Sequence, residues 1–331
     1  MSAPPSGLPV IAVPVGDPNG IGPEVALKSA VSSDVLKILK PVLVADSAVI
    51  EATAVRYGME GRLAELLAGG EVAVSPVAAL ERAPEPGAVA AGAGAAAVAY
   101  ARAAIRLAEA GGADAVVAGP HNETAVALAG IPFRGYPQLL AETTGTDPDD
   151  VFLMLATPRF RIVHATLHVG LRQALDSLTM GRVLSALRAA HTALCRMGIA
   201  RPQIAVCGID PHAGEGGLFG TDDETVTAPA VVRACNEGIA ADGPRGADLL
   251  LQENAHDAYI AMYHDQGHIP AKLDGRGRAL GLSIGAPVLF ATVAHGSAHD
   301  IAGTGRADPA PFAGALIRMA GLLGGRETAA G

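Results

Sequence analysis

Leu8-Pro9-Val10-Ile11-Ala12-Val13-Pro14-Val15, running straight into Gly16-Asp17-Pro18-Asn19-Gly20-Ile21-Gly22-Pro23-Glu24, is the stretch that decides the fold class. Its first eight residues are an apolar run of strand length. Pro23 suits a first helical position and opens a helical stretch read over residues 23–39. A second apolar strand follows at residues 41–45. Strand, glycine-rich turn, helix and strand in this order predict an α/β fold, with parallel strands covered by helices on both faces. The rhythm continues with a helix over 95–110, a strand at 114–118, a helix over 179–196, a strand at 203–208 and a last helix near 311–323. Two strand-like stretches, 151–156 and 161–167, flank Thr157-Pro158-Arg159 and predict a hairpin. The Ala/Gly/Pro-rich stretch 83–94 reads as a surface connection.

Composition narrows the function classes. A chain of 331 residues, 50% hydrophobic, divides into two domains by length and forms its core without disulfides or structural metal. The longest apolar run, 87–101, is mostly Ala and Gly and falls short of the roughly 18 residues needed to cross a bilayer, so no membrane role is expected. Met1 to Gly7 lacks the basic and then apolar pattern of a secretory signal, which makes the cytoplasm the expected location. Cys195, Cys207 and Cys235 form no C-x-x-C pair and read as buried small apolar residues. A net charge of −9 repels nucleic acid and anionic lipid, and no nucleic-acid partner is expected. Basic residues are mostly Arg; Lys occurs only at 28, 37, 40 and 272. Lys272 is either a leftover surface residue or a compact, titratable ammonium that guanidinium cannot imitate.

Ligands of open α/β sheets lie beyond the carboxyl ends of strands, which directs attention to the loops there. The glycines and free amides of Gly16 to Glu24 suit either a tight turn or an anion at a helix start. Gly208-Ile209-Asp210-Pro211-His212-Ala213-Gly214-Glu215 follows a strand, as does Tyr263-His264-Asp265-Gln266-Gly267-His268, while His164 and His168 close a third. Each histidine alone fits a hydrogen-bonded structural role; together the three strand ends could converge on one divalent metal. His295-Gly296-Ser297-Ala298-His299-Asp300-Ile301-Ala302-Gly303 offers an acid to a ribose, or is a surface turn.

In order along the chain, Gly16-Asp17-Pro18-x-Gly20-Ile21-Gly22-Pro23-Glu24, Pro211-His212-Ala213-Gly214-Glu215 and Met262-Tyr263-His264-Asp265-Gln266-Gly267 resemble the 4-hydroxythreonine-4-phosphate dehydrogenase (PdxA) family, over about residues 10–325. The loop from His295 to Gly303 is similar to the cofactor loop of isopropylmalate and isocitrate dehydrogenases. The resemblance implies two α/β/α domains of that type with the active site in a cleft between them. The first would comprise residues 1–125 and 290–331, on the cofactor side, and the second residues 126–289, carrying metal, substrate and dimerisation. It also implies a homodimer whose metal site draws on both subunits, NAD as cofactor, and a divalent metal, zinc in the first instance. By position it places metal ligands on His168, His212 and His264, the substrate-binding lysine on Lys272, and cofactor contacts on Gly296, Ser297, Asp300 and Gly303. Asp265 is then either an orienter of a ligating histidine or a base.

Other positions depart from the enzyme that names the family. Its phosphate-gripping Gly-His-Thr-Glu becomes Gly135-Tyr136-Pro137-Gln138, a substrate-contacting Asn becomes Gly281, and a substrate-contacting Arg becomes Phe290. Pro120-His121-x-Glu123-Thr124-Ala125, Gly135-Tyr136-Pro137 and His264 to Pro270 look closer to the terephthalate cis-dihydrodiol dehydrogenase branch. The expectation is oxidation and decarboxylation of an aromatic cis-dihydrodiol carboxylate to a catechol. In this reading the ring lies against Tyr136 and Phe290 beside Gly281, and Lys272, helped by Arg276 or Arg278, takes up a carboxylate. The alternatives are a dehydrogenase for a phosphorylated hydroxy acid, and a non-catalytic metal- or ligand-binding protein.

Overall fold

The computed structural model describes residues 7–275, 278–293 and 295–324. Its strands are β1 (Val10–Pro14), β2 (Lys40–Ala45), β3 (Ala73–Pro76), β4 (Ala115–Ala118), β5 (Phe152–Ala156), β6 (Arg161–His164), β7 (Gln203–Cys207), β8 (Ala240–Arg245), β9 (Ala258–Ala261), β10 (Leu280–Ile284) and β11 (Phe290–Thr292). The chain divides into two compact units, one holding residues 7–145 and 287–324, the other residues 146–286.

In the first unit the strands run β3-β2-β1-β4-β11, all parallel. Nearly every residue of β1 and β4 is buried, as both-face coverage by helices demands. The helix Ala91–Glu109 packs on β1, β2 and β4; the helices Gly22–Ala30 and Ala310–Leu323 pack on each other and on β2, β4 and β11. With aromatics at only 3%, close approach of small residues does the packing. At Gly94 a Cβ would fall 2.2 Å from the backbone of Ala125, so the bare glycine lets the helix Glu123–Leu128 lie directly on Ala91–Glu109.

The second unit orders its strands β10-β5-β6-β9-β7-β8. The predicted hairpin is present: β5 and β6 pair antiparallel around Thr157, whose hydroxyl accepts from the Phe160 amide at 2.9 Å. Strand β10 also joins β5 antiparallel, a second antiparallel pairing beyond the expected hairpin. Leu155, Phe160, Ile162, Ala205, Cys207, Tyr259 and Ala271 form one apolar cluster. It clamps β5, β6, β7 and β9 to the helix His264–Gly275.

Three further expectations are corrected. The single helix over 23–39 is two, Gly22–Ala30 and Ser33–Leu36, because Ser32 adopts an extended backbone (φ −70°, ψ 132°). The connection at 83–94 gives way to helix at Ala91. Of the cysteines only Cys207 is buried, its thiol pushed up to about 12 by loss of water; Cys195 and Cys235 are exposed. No described helix is long and apolar enough to cross a membrane.

Candidate functional site

Polar residues gather at strand ends in each unit. In the second, β6 and β9 run parallel with His164 opposite Ala261, and pairing continues past both strands: Ala165 N–H donates to Ala261 at 2.8 Å and Thr166 Oγ1 to Met262 O at 2.7 Å. The two exits therefore travel side by side. His168 follows the first and His264 the second, and their rings come within 5.7 Å. Gln266 holds the second turn, accepting from Met262 N–H at 2.7 Å and donating to Gly208 O at 2.9 Å. The sequence reading treated Tyr263 to His268 as a loop, but His264 is the first residue of a helix.

His264 Nδ1 lies 2.7 Å from Asp265 Oδ1. A carboxylate accepts, so Nδ1 carries the proton and Nε2 keeps its lone pair for a ligand. This geometry makes Asp265 the orienter of His264. A cavity of about 330 Å³ opens beside the pair, lined by Leu167, His168, Val169, Leu171, Ala174, Tyr263, His264 and Asp265, with no Lys or Arg among the described residues of its lining. Lys272 lies two turns further along the helix of His264, exposed.

His212 is held differently. Asp223, 2% exposed, accepts the amides of Ile209 and Asp210 at 2.9–3.1 Å and the Thr227 hydroxyl at 2.6 Å, which fixes the loop after β7. His212 and Ala213 are left-handed (φ 54° and 53°), a conformation costing about 1–2 kcal/mol per residue without glycine. Such strain at an exposed histidine points to function. Within the chain, His212 packs against Phe219 at 5.8 Å, and no group of three His, Cys, Asp or Glu side chains among the described residues is arranged for a metal. The expected convergence of three histidines thus reduces, within one chain, to the pair His168 and His264. Two imidazoles fit a divalent ion but leave it needing a third protein ligand.

In the first unit the loops after β1, β4 and β11 interlock. Asp17 N–H donates to Pro120 O at 2.9 Å and Ile21 N–H to Ser297 O at 2.8 Å. Gly16 (φ 81°) leaves no room for a Cβ, which would fall 2.2 Å from Pro120 O. Asp17 is fully buried and its Oδ2 sits 3.3 Å from His299 Nε2; burial raises the Asp17 carboxyl despite that neighbour. His299 Nδ1 in turn lies 3.4 Å from both Asn122 Nδ2 and Ser297 Oγ. Neither this Asp17 and His299 pair nor the burial of Ser297 was foreseen; Asp17 stood in plain view in the quoted loop, but its partner lies 282 positions away. Asp300 and Gly296 are exposed at the same strand end, and Gly303 (φ 77°) packs its Cα side against Pro86.

The proposed substrate platform does not survive. Phe290 is 0% exposed and Tyr136 6%; the rings pack at 5.1 Å within the core, and Tyr136 OH donates to Gly119 O at 3.1 Å. Both are core side chains and present no face to a ligand. Gly281 sits mid-strand in β10, its open side toward Leu153 and Leu155. Arg276 lies outside the described residues, and Arg278 lines a separate cavity with Pro158, Arg159 and Leu273.

Comparison with known proteins gives these features a context. Residues 37–320 match the family model "Pyridoxal phosphate biosynthetic protein PdxA". The chain is 44% identical over 319 residues to a 1,2-dihydroxy-3,5-cyclohexadiene-1,4-dicarboxylate dehydrogenase of Comamonas sp., covering 95% of this chain and 96% of that one. A terephthalate 1,2-cis-dihydrodiol dehydrogenase from Burkholderia xenovorans LB400 superposes with a TM-score of 0.78 at 42% identity, covering 97% and 99%. A 4-hydroxythreonine-4-phosphate dehydrogenase from Burkholderia phymatum gives a TM-score of 0.87 at 34% identity, covering 96% and 99%.

Proposed function

This chain belongs to the PdxA family, and from that premise we propose that it is an NAD-dependent, divalent-metal-dependent dehydrogenase that oxidises and decarboxylates an aromatic cis-dihydrodiol carboxylate. That relatives of high identity are dehydrogenases supports the oxidoreductase class. One observation carries the substrate class: the cavity beside His168 and His264 is walled by Leu167, Val169, Leu171, Ala174 and Tyr263, with Asp265 the one acidic side chain in its described lining. Apolar walls suit a flat carbocycle, and the carboxylate on such a ring needs a cation from outside this lining, which Lys272 supplies.

His168 and His264 would hold the ion, with His212 of a second copy as third ligand, and the bound ion would acidify a substrate hydroxyl and polarise the ketone that follows. Asp265 keeps the His264 proton on Nδ1 and so its Nε2 lone pair available. Lys272, exposed on the same helix, pairs with a ring carboxylate and orients the diol. Gly296, Ser297, Gly303 and Asp300 would form the cofactor side, where Asp300 would accept the ribose hydroxyls. A bound nicotinamide would supply the acceptor for the hydride of the carbinol carbon, and the hydroxyl proton would pass to solvent. The resulting ketone lies β to a carboxylate. Carbon dioxide departs, the C–C electron pair becomes an enolate, and one proton completes a catechol whose aromaticity makes the reaction one-way.

The test is nicotinamide reduction with a cyclohexadiene cis-diol carboxylate, with and without chelator, alongside 4-phosphohydroxy-threonine. Chelator-sensitive turnover of the diol with carbon dioxide release is expected. Preference for the phosphorylated acid would instead favour the second reading, which the high TM-score with the Burkholderia phymatum enzyme supports.

A further inference from the structure

His164 and His268 take no part in the reaction outlined above, yet they are tightly fixed. His164 closes β6 at 1% exposure, its Nδ1 3.3 Å from Leu153 O and its Nε2 3.0 Å from His268 Nδ1. A carbonyl oxygen only accepts, so His164 Nδ1 carries the proton and donates. Burial, and then the neighbouring imidazoles, hold His164 down to about 3, so the ring is neutral and its Nε2 bears a lone pair. A lone pair facing His268 Nδ1 requires the proton on that nitrogen, which leaves Nε2 of a neutral His268 as a bare acceptor. Gly267 makes the approach possible, since a Cβ there would fall 2.4 Å from His164 Nε2.

His268 lies one turn beyond His264, and the two rings stack at 3.8 Å and 11°. His268 is partly exposed, and Lys272 follows one turn later, so the helix carries His264, His268 and Lys272 in one stripe. We propose that His164 is a positioning residue that fixes the tautomer of His268, so that His268 Nε2 accepts a hydrogen bond from the second hydroxyl of a vicinal diol. The identity of the donor rests on the dihydrodiol reading above; the tautomer does not.

Two readouts separate those parts. Nitrogen-15 NMR of the imidazoles, on the substrate-free protein, is expected to show His268 protonated at Nδ1 and bare at Nε2. His164→Gln retains an acceptor for His268 and should keep that pattern, while His164→Leu removes it and should bring in the Nε2–H form. With the cis-diol, His164→Leu is expected to lower kcat/KM about tenfold, as loss of one hydrogen bond implies, at an unchanged KM for NAD, and His164→Gln to recover most of it. An Nε2–H signal in the unaltered protein, or an unchanged His268 in folded His164→Leu, overturns the relay. Should His164→Leu fail to fold, an Nε2–H form in the unaltered protein or in His164→Gln still overturns the relay. The expected tautomer without diol oxidation overturns the substrate reading and the donor with it, and leaves the fixed tautomer established.

Discussion

Asp300 shows how much one side chain can decide. It is exposed at the end of the loop after β11, with no ion-pair partner among the described residues, so its negative charge is available to whatever binds there. A carboxylate accepts from a ribose 2′-hydroxyl and repels a 2′-phosphate. The expected outcome is kcat/KM for NAD at least tenfold above that for NADP, with the gap closing in Asp300→Ala; equal constants in the unaltered protein would remove Asp300 from the ribose. His164 makes a second residue-level prediction, about pH. Its folded value, about 3, lies below the ordinary 6.5, so between those limits the unfolded chain binds the proton that the folded chain refuses. Stability is therefore full above about pH 6.5 and falls as pH drops through the window, by roughly 1.4 kcal/mol per unit from this group. Urea midpoints of the unaltered protein should fall more steeply from pH 7 to pH 5 than those of His164→Gln. Parallel slopes would mean that His164 titrates normally.

At the scale of elements, the loop after β7 depends on one carboxylate. Asp223 accepts two backbone amides and the Thr227 hydroxyl while almost wholly buried. Asp223→Ala would leave those donors unsatisfied and release the left-handed turn at His212; a loss of about 2–4 kcal/mol in urea unfolding and a larger loss of turnover are expected. Unfolding at the unaltered midpoint would show that the turn holds itself. This anchor was not legible in the sequence, because Asp223 is 11 positions from His212 and nothing local marks it as a loop's partner. Elements with strong period or punctuation were legible: β1, β2, β4, the β5 and β6 hairpin and the helix Met180–Arg196, with Thr179 capping it, all stand where pattern put them. The helix opening at His264 was not, since Gly267 and Pro270 argue against helix locally. Ala271 in the apolar cluster and the Gln266 clasp outweigh that propensity. Tyr136 and Phe290 mark the same limit at the site, because residue type alone does not distinguish a ring that lines a pocket from one that fills a core.

At the scale of the whole molecule, His212 poses a problem that a single chain does not solve. Resemblance placed three histidines on one metal, and the fold brings together His168 and His264 while His212 stands with Phe219 on its own strained loop. If His212 serves a second copy, each site of a homodimer takes two ligands from one chain and one from the other. Closed twofold symmetry then builds two identical sites. His168→Ala, His264→Ala and His212→Ala should each abolish bound metal and turnover. Mixing inactive His168→Ala with inactive His212→Ala, with dissociation and reassociation, should restore activity. In a mixed dimer the His212→Ala chain keeps His168 and His264 and receives His212 from its neighbour, which completes one site, while the other lacks two ligands. Random pairing makes half the dimers mixed, so about a quarter of the unaltered activity and metal content is expected. Mixing His168→Ala with His264→Ala should restore nothing, because both losses fall on the same half of the site. Recovery in that second mixture would mean that His168 and His264 of one site come from different chains, and none in the first would mean that His212 turns inward to its own His168 and His264.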